Sequence, residues 1–208
     1  MTGIFVLGAG GHAKVVIATL HAAGLPVRGV LDDNSSRAGE KILDVPVLGG
    51  MHLLNEVPDP QAVIAIGSNR ARAHISQRYP RTRWISVTHP MASVHPSARI
   101  GAGTVVCAGA VVQPDAILGE HVIVNTGASV DHDCILEDFV HVAPGVRLAG
   151  GVHLEEGVLM GVASAAIPGV KVGAWSTVGA GGAVIGHLES GITAVGVPAR
   201  PRNTEVKS

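Results

Sequence analysis

The chain has 208 residues and a formal net charge of −1; 47% of it is hydrophobic, yet only 2% is aromatic. Near-neutral charge argues against a nucleic-acid or membrane surface held by bulk electrostatics. No apolar run is long enough to span a bilayer, and no basic stretch leads into a secretory core. Cys107 and Cys134 are too few for a disulfide framework, so a reducing cytoplasm is the expected setting.

In chain order, Gly3 to Leu7 reads as a buried strand, Gly8-Ala9-Gly10-Gly11-His12-Ala13 as a turn, and Lys14 to Ala23 as a helix closed by Gly24. Val27 to Leu31 is the next strand and ends on Asp32-Asp33. This is a βαβ unit with G-x-G-x-x-A at its first turn and acids about twenty residues on, the pattern of a Rossmann-like fold. Gln61 to Ile66 reads as a further parallel strand ending at Gly67-Ser68-Asn69, followed by a helix over Arg70 to Tyr79 and a strand over Arg83 to Val87. Glycines at such a turn let a diphosphate approach the backbone, and the helix N-terminus favours the anion. Asp32 or Asp33 is placed to accept from a ribose or a base edge. Residues 1–88 hold little more than one mononucleotide half, which favours a nucleotide or nucleotide-sugar over NAD; the alternative is a tight βα turn with no ligand. Lys14, Arg70 and Arg72 lie near this turn; pairing with phosphate is one reading, but cations near a helix start are more often solvated, and they are read as solvated.

Thr88 to Ser93 bridges into a second domain, residues 94–208, where a six-residue pattern runs from Val94 to Glu189 without an insertion. One series, Val94, Ile100, Val106, Val112, Leu118, Val124 and onward to Val184, is apolar throughout. A second, small or aliphatic series follows four places later, from Ala98 through Ala110, Val122 and Cys134 to Ser176. Helices repeat every three to four residues and strands every two, so a period of six fits neither. It fits a short strand and a turn, repeated: a hexapeptide β-helix, three hexads to a coil, about five coils stacked at roughly 4.8 Å. Glycines such as Gly101, Gly103, Gly109, Gly119 and Gly127 fall where tight turns are needed.

Val130-Asp131-His132-Asp133-Cys134 sets a histidine between two aspartates at an outward position, with His141, also outward, nine residues on. Acidic flanks stabilise imidazolium and hold one tautomer, the setting of a general base; which aspartate makes contact is left open by the sequence. His121, His153 and His187 read as solvated corner residues, and Cys134 as a packing residue. Gly150 stacks one coil beyond His132, where it leaves room for a ligand and bares a backbone N–H for an oxyanion.

The chain resembles the hexapeptide-repeat sugar acetyltransferases of the PglD, PerB and NeuD type. The resemblance rests on Leu7-Gly8-Ala9-Gly10-Gly11-His12, Leu31-Asp32-Asp33, Ile64-Ala65-Ile66-Gly67-Ser68-Asn69, Asn125-Thr126, Val130-Asp131-His132-Asp133, Phe139-Val140-His141 and Gly196-Val197-Pro198-Ala199-Arg200. It implies an α/β Rossmann-like domain followed by a left-handed β-helix, a homotrimer with sites between neighbouring prisms, and acetyl transfer from acetyl-CoA to the 4-amino group of a UDP- or GDP-linked 4-amino-4,6-dideoxy sugar, with no metal. It implies His132 as general base, Asp133 as the partner that raises its basicity, and Asn125 near the reacting centre. His141, Gly150, Val162 and Ala180 fall where relatives contact acetyl-CoA, Ala180 standing where a glycine is expected. Gly10, Gly11, His12, Asp32, Asp33, Gly67 and Asn69 are implied to hold the nucleotide-sugar.

Two rivals remain. A sialic acid or polysaccharide O-acetyltransferase would use His132 on a hydroxyl instead of an amine. A zinc lyase of the γ-carbonic-anhydrase type uses the same β-helix with three histidines across a subunit interface, and His121, His132, His141 and His153 supply imidazoles, but it leaves the N-terminal domain unexplained. A non-catalytic sugar-nucleotide scaffold leaves the His132 and Asp133 pair unexplained.

Overall fold

Each hexad folds as a two-residue strand and a tight turn in the computed structural model, which describes residues 3–202. The strands stack with an eighteen-residue step into three parallel sheets, the faces of a prism, as in the pairs Val105↔Ile123, Val111↔Ser129 and Ile117↔Ile135. The first face begins at Val87–Thr88 and the second at Ser93–Val94; the third begins at Arg99–Ile100. Val106, Val124, Val142, Met160 and Val178 point inward from the first face, and the equivalent side chains of the other two join them in one core. The second hexad series lines the same core from Ala110 to Val170, Cys134 included. Each fully buried aliphatic side chain is worth about 1.5–3 kcal/mol, so this axial column stabilises the fold without aromatic rings.

From Gly103 to Gly181 one slot of every hexad takes a left-handed backbone. Gly103, Gly109 and Gly127 fill it, but so do His121, Asp133 and Phe139, with φ of 54°, 58° and 60°. Gly101 and Gly119 lie outside that slot; a Cβ at either would collide with backbone of the next coil, so close stacking and not turn conformation requires glycine there. The prism ends in an antiparallel pairing of Thr193–Val195 with Arg200–Pro201, and Ala199 is buried against the last coil.

The N-terminal domain is a six-stranded sheet. Its elements are β1 (Ile4–Leu7), α1 (Gly11–Ala22), β2 (Val27–Leu31), β3 (Lys41–Ile42), β4 (Val45–Gly49), β5 (Gln61–Ile64), α2 (Asn69–Arg78) and β6 (Arg83–Trp84), in the order β3-β4-β2-β1-β5-β6. Every pairing is parallel except β3 with β4. From β1 the chain passes to β2 on one side and later to β5 on the other. The loops after β1 and β5 therefore diverge at a topological switch point, where such sheets bind ligands.

Three features differ from the sequence reading. The β3–β4 hairpin was not expected, because its two-residue turn is Leu43-Asp44, both at positive φ, instead of the Asn-Gly that signals such a turn. Helix α1 begins at Gly11, earlier than Lys14, with Gly10 as its N-cap. The strand expected over Arg83 to Val87 divides: Arg83–Trp84 closes the N-terminal sheet, whereas Val87–Thr88 is already the first rung of the prism. The domains share a core at this junction, since Val87, Val105 and Cys107 pack with Val16, Ile17 and Leu20 of α1.

Candidate functional site

His132 stands on the prism edge between the second and third faces, just before the left-handed residue Asp133. A short polar side chain tolerates that conformation well, and here it turns the Asp133 carboxylate back onto the ring. Asp133 Oδ2 lies 2.7 Å from His132 Nδ1. Asp131 has a different job: its Oδ1 accepts from the His132 backbone N–H at 2.8 Å. The two flanking acids are thus separated in role, and Asp133 is the imidazole's partner. With Nδ1–H donated to Asp133, Nε2 is left with its lone pair toward solvent. The hydrogen bond to Asp133 raises the His132 pKa above the ordinary histidine value, with the charges of Asp131 and Asp133 adding to it.

Gly150 lies one coil below. A Cβ there would stand 2.5 Å from His132 Cε1, so the space that glycine leaves is occupied by the imidazole. This corrects the expectation that the gap itself is a ligand cavity. The Gly150 N–H meets no acceptor among the described residues. Farther along this edge, Ile167 and Ile185 are exposed, an apolar strip below the imidazole; Val162 on the first–second edge is 52% exposed, and Ala180 follows it one coil on.

The nucleotide-type turn is formed by the loop after β1. Gly8 takes φ +101, and a Cβ there would meet Ile66 Cγ1 at 2.6 Å, whereas Gly10 and Gly11 face open space at the start of α1. Asp32 Oδ2 accepts from the Ala9 N–H at 2.6 Å and Oδ1 from the Asn34 N–H at 2.8 Å. Asp33 accepts from the Met51 N–H at 2.8 Å and pairs with Arg78 at 3.3 Å. Both acids shape loops at the ends of β2 and β4 while bordering the crevice. Asn69 sits at the start of α2, but its Nδ2 donates to the carbonyls of Gly157 and Val158 in the prism, so its amide ties the two domains together.

Arg72, His121 and His141 form the seam between the domains. Arg72 is 1% exposed, which corrects its reading as a solvated cation. His121 is also 1% exposed, and not a solvated corner: its ring stacks on Phe139 with centroids 5.5 Å apart and meets Trp84 edge-on at 4.9 Å. His141 leaves the first face beneath the N-terminal domain, its ring 6.3 Å from that of His12. Burial, followed by the charge of Arg72, holds His12, His121 and His141 down at about 4. His153 is instead paired with Glu137 at 2.7 Å, and His187 accepts from the Lys171 N–H.

Asn125 belongs to the first–second edge, where its Nδ2 faces His141 Nε2 at 3.2 Å. The expected residues therefore gather in two places within one chain. Gly10, Gly11, His12, Gly67, His141 and Asn125 converge at the switch point and the first face. His132, Asp133 and Gly150 stand on another edge, across the second face. Within one chain, His121, His132, His141 and His153 point to separate surroundings, and no group of three metal-type side chains converges among the described residues.

Comparison with known proteins follows this division. Residues 3–79 match the PglD N-terminal domain model. PerB from Caulobacter crescentus, solved with CoA and GDP-perosamine, superposes with a TM-score of 0.91 at 39% identity, over 97% of this chain and 98% of that one. The acetyltransferase domain of PglB from Neisseria gonorrhoeae, solved with acetyl coenzyme A, does so with a TM-score of 0.90 at 37% identity, over 96% and 98%. Among curated sequences, a UDP-N-acetylbacillosamine N-acetyltransferase of Bacillus subtilis is 38% identical over 113 residues. The chain spans 52% of that relative and 21% of an uncharacterized protein of Acanthamoeba polyphaga mimivirus. With a Rossmann-like sheet on a left-handed β-helix, and with this likeness over nearly its whole length, the chain belongs to the nucleotide-sugar N-acetyltransferases of the hexapeptide-repeat family.

Proposed function

We propose that the protein transfers acetyl from acetyl-CoA to the 4-amino group of a UDP- or GDP-linked 4-amino-4,6-dideoxy sugar, with His132 as general base. The observation that carries this reading is the directed pair of Asp133 Oδ2 with His132 Nδ1, which leaves Nε2 free above Gly150. A protonated amine cannot attack a thioester. As the neutral amine adds to the acetyl carbonyl, Nε2 takes its proton. In this reading the Gly150 N–H, which meets no acceptor among the described residues, holds the oxyanion, and the imidazolium, steadied by Asp133, returns its proton to the departing thiolate. No covalent enzyme intermediate is required. Both cysteines fit this, since burial pushes each thiol up to about 11.

The acyl donor supplies an activated carbonyl and a thiolate leaving group. Ile167 and Ile185 offer its arm an apolar strip beside His132, and Val162 and Ala180 offer a second strip on another edge. In this reading the nucleotide lies over Gly10, Gly11 and Gly67, with Asp32 and Asp33 bordering the base and sugar. His132 stands on a different edge from Asn125, His141 and the nucleotide turn, so a second copy of the chain must bring the halves together. A homotrimer of prisms meets that need, and enclosing a donor takes two surfaces.

The test is release of CoA thiol from acetyl-CoA with a panel of UDP- and GDP-linked sugars bearing 4-amino or only hydroxyl groups. Release that requires a 4-amino sugar supports the proposal and identifies the nucleotide. Release with hydroxyl-only acceptors favours O-acetyl transfer by the same histidine. No release with any acceptor from a folded protein refutes both.

A further inference from the structure

We infer that Arg72 is a positioning residue, whose buried guanidinium bolts the β5–α2 loop to the prism and thereby fixes the tautomer of His141 and the orientation of the Asn125 amide. The argument begins with an unusual use of charge. Arg72 makes no ion pair among the described residues; its partners are all backbone carbonyls. Nη1 donates to Ile66 O and Gly67 O of the β5–α2 loop, each at 3.1 Å. Nε donates to His121 O at 3.1 Å, and Nη2 to Phe139 O at 2.7 Å and Val140 O at 3.4 Å, all in the prism. A fully buried cation without a counter-ion is costly. Burial alone pulls the Arg72 pKa down to about 9. Only a planar fork with five N–H groups can reach carbonyls on both domains at once, which lysine cannot do.

The Gly67 carbonyl carries the effect onward. It accepts from Arg72 and faces His141 Nδ1 at 3.3 Å. A carbonyl cannot donate, so Nδ1 carries the ring proton and Nε2 carries the lone pair. Asn125 completes the sequence. Its Oδ1 accepts from the Thr126 N–H at 2.8 Å, which fixes the amide orientation, and its Nδ2 then donates to His141 Nε2 at 3.2 Å. Donation runs from the Thr126 N–H through Asn125 and His141 to the Gly67 carbonyl, which Arg72 anchors from its other side, so every donor meets an acceptor. One Nδ2–H of Asn125 is left over. Were His141 protonated, its Nε2–H would oppose that amide, donor against donor.

The consequence for catalysis rests on the acetyl-transfer reading: the spare Asn125 N–H is the group that this relay holds toward the reaction space at the first–second edge. His141 is then a fixed strut, not a titrating acid or base.

The experiment is ring-nitrogen NMR of ¹⁵N-histidine-labelled protein from about pH 5.5 to about pH 8, a range in which an unperturbed histidine would titrate. His141→Gln assigns the resonance, and kcat and KM are measured in parallel. The wild type is expected to show His141 neutral and Nδ1-protonated throughout. Arg72→Lys and Arg72→Met are expected to populate the other tautomer or to titrate, with kcat lowered about 10- to 100-fold and KM for acetyl-CoA nearly unchanged, as for a misplaced group. If Arg72→Met does not fold, Arg72→Lys decides. A wild-type proton on Nε2, or Arg72→Lys with reduced stability but unchanged tautomer and kcat, overturns the inference. The tautomer readout needs no substrate, so a protein idle toward every acceptor yet showing the expected tautomers would sink the acetyl-transfer reading and leave Arg72's role standing.

Discussion

The imidazole of His132 lies over Gly150 so closely that a methyl group on residue 150 would stand 2.5 Å from Cε1. His132 is exposed and can swing aside, so the clash is cheap for the fold and expensive for the chemistry. Gly150→Ala is expected to leave thermal stability within about 0.5 kcal/mol of wild type. It should lower kcat about 10- to 100-fold, as for a displaced catalytic group. Calorimetry and steady-state kinetics on the same preparation check this. Unchanged kcat would mean that Gly150 does not seat the base.

Removing the proposed base is the harsher test. His132→Ala should cost about 10²–10⁴-fold in kcat, the usual worth of general-base assistance. The side chain contributes nothing to the core, so circular dichroism and oligomeric state should match wild type. A mutant with near-normal kcat refutes the assignment.

If His132 is the base, as proposed, Asp133 sets where on the pH scale it acts. Its hydrogen bond raises the His132 pKa, so kcat/KM should rise with pH through a value above the ordinary 6.5. Asp133→Asn removes the charge and should move this acidic limb to lower pH, with a smaller plateau rate because the imidazolium loses its partner. A limb that stays in place would assign it to the acceptor amine.

Acid should loosen the seam between domains. His12, His121 and His141 are buried as neutral rings with pKa about 4, against 6.5 unfolded. The unfolded chain therefore binds more protons between those values, and stability is complete above pH 6.5 and lost as pH falls toward 4. Each such proton gives a slope of about 1.4 kcal/mol per pH unit. His132 acts in the opposite sense, but it is exposed and screened. Denaturant unfolding at several pH values should show this slope, and His121→Phe should reduce it by about one proton. An unchanged slope in that variant would show that His121 is not held neutral by the seam.

The prism was legible because a period of six survives any misjudged single residue: from Val106 to Val184 every inward position is buried as read. Around His132 the acidic flanks were legible in the sequence, but which of them meets the ring is decided by the corner, where Asp133 takes Nδ1 and Asp131 the backbone N–H. What escaped was whatever the docking of two domains decides. Arg72 and His121 are 49 residues apart and meet only because α2 lies against the third–first edge. His121 occupies the same turn slot as Asp133, and nothing in the repeat says which corners another domain will cover. Asn125 lies seven residues before His132 and therefore on the neighbouring edge of the same chain, a separation the sequence does not display.

The uninterrupted eighteen-residue step has a consequence for how such a molecule can change. Six residues advance the chain by one face. Deleting a single hexad after Val94 would turn every later corner through a third of a revolution, taking His141 out from under the N-terminal domain and His132 off its edge. Deleting a whole coil beyond Gly150 would shorten the column and disturb neither. Length in this protein is therefore quantised: the C-terminal end of the prism can grow or shrink by complete coils while Asn125 and His132 keep their phase.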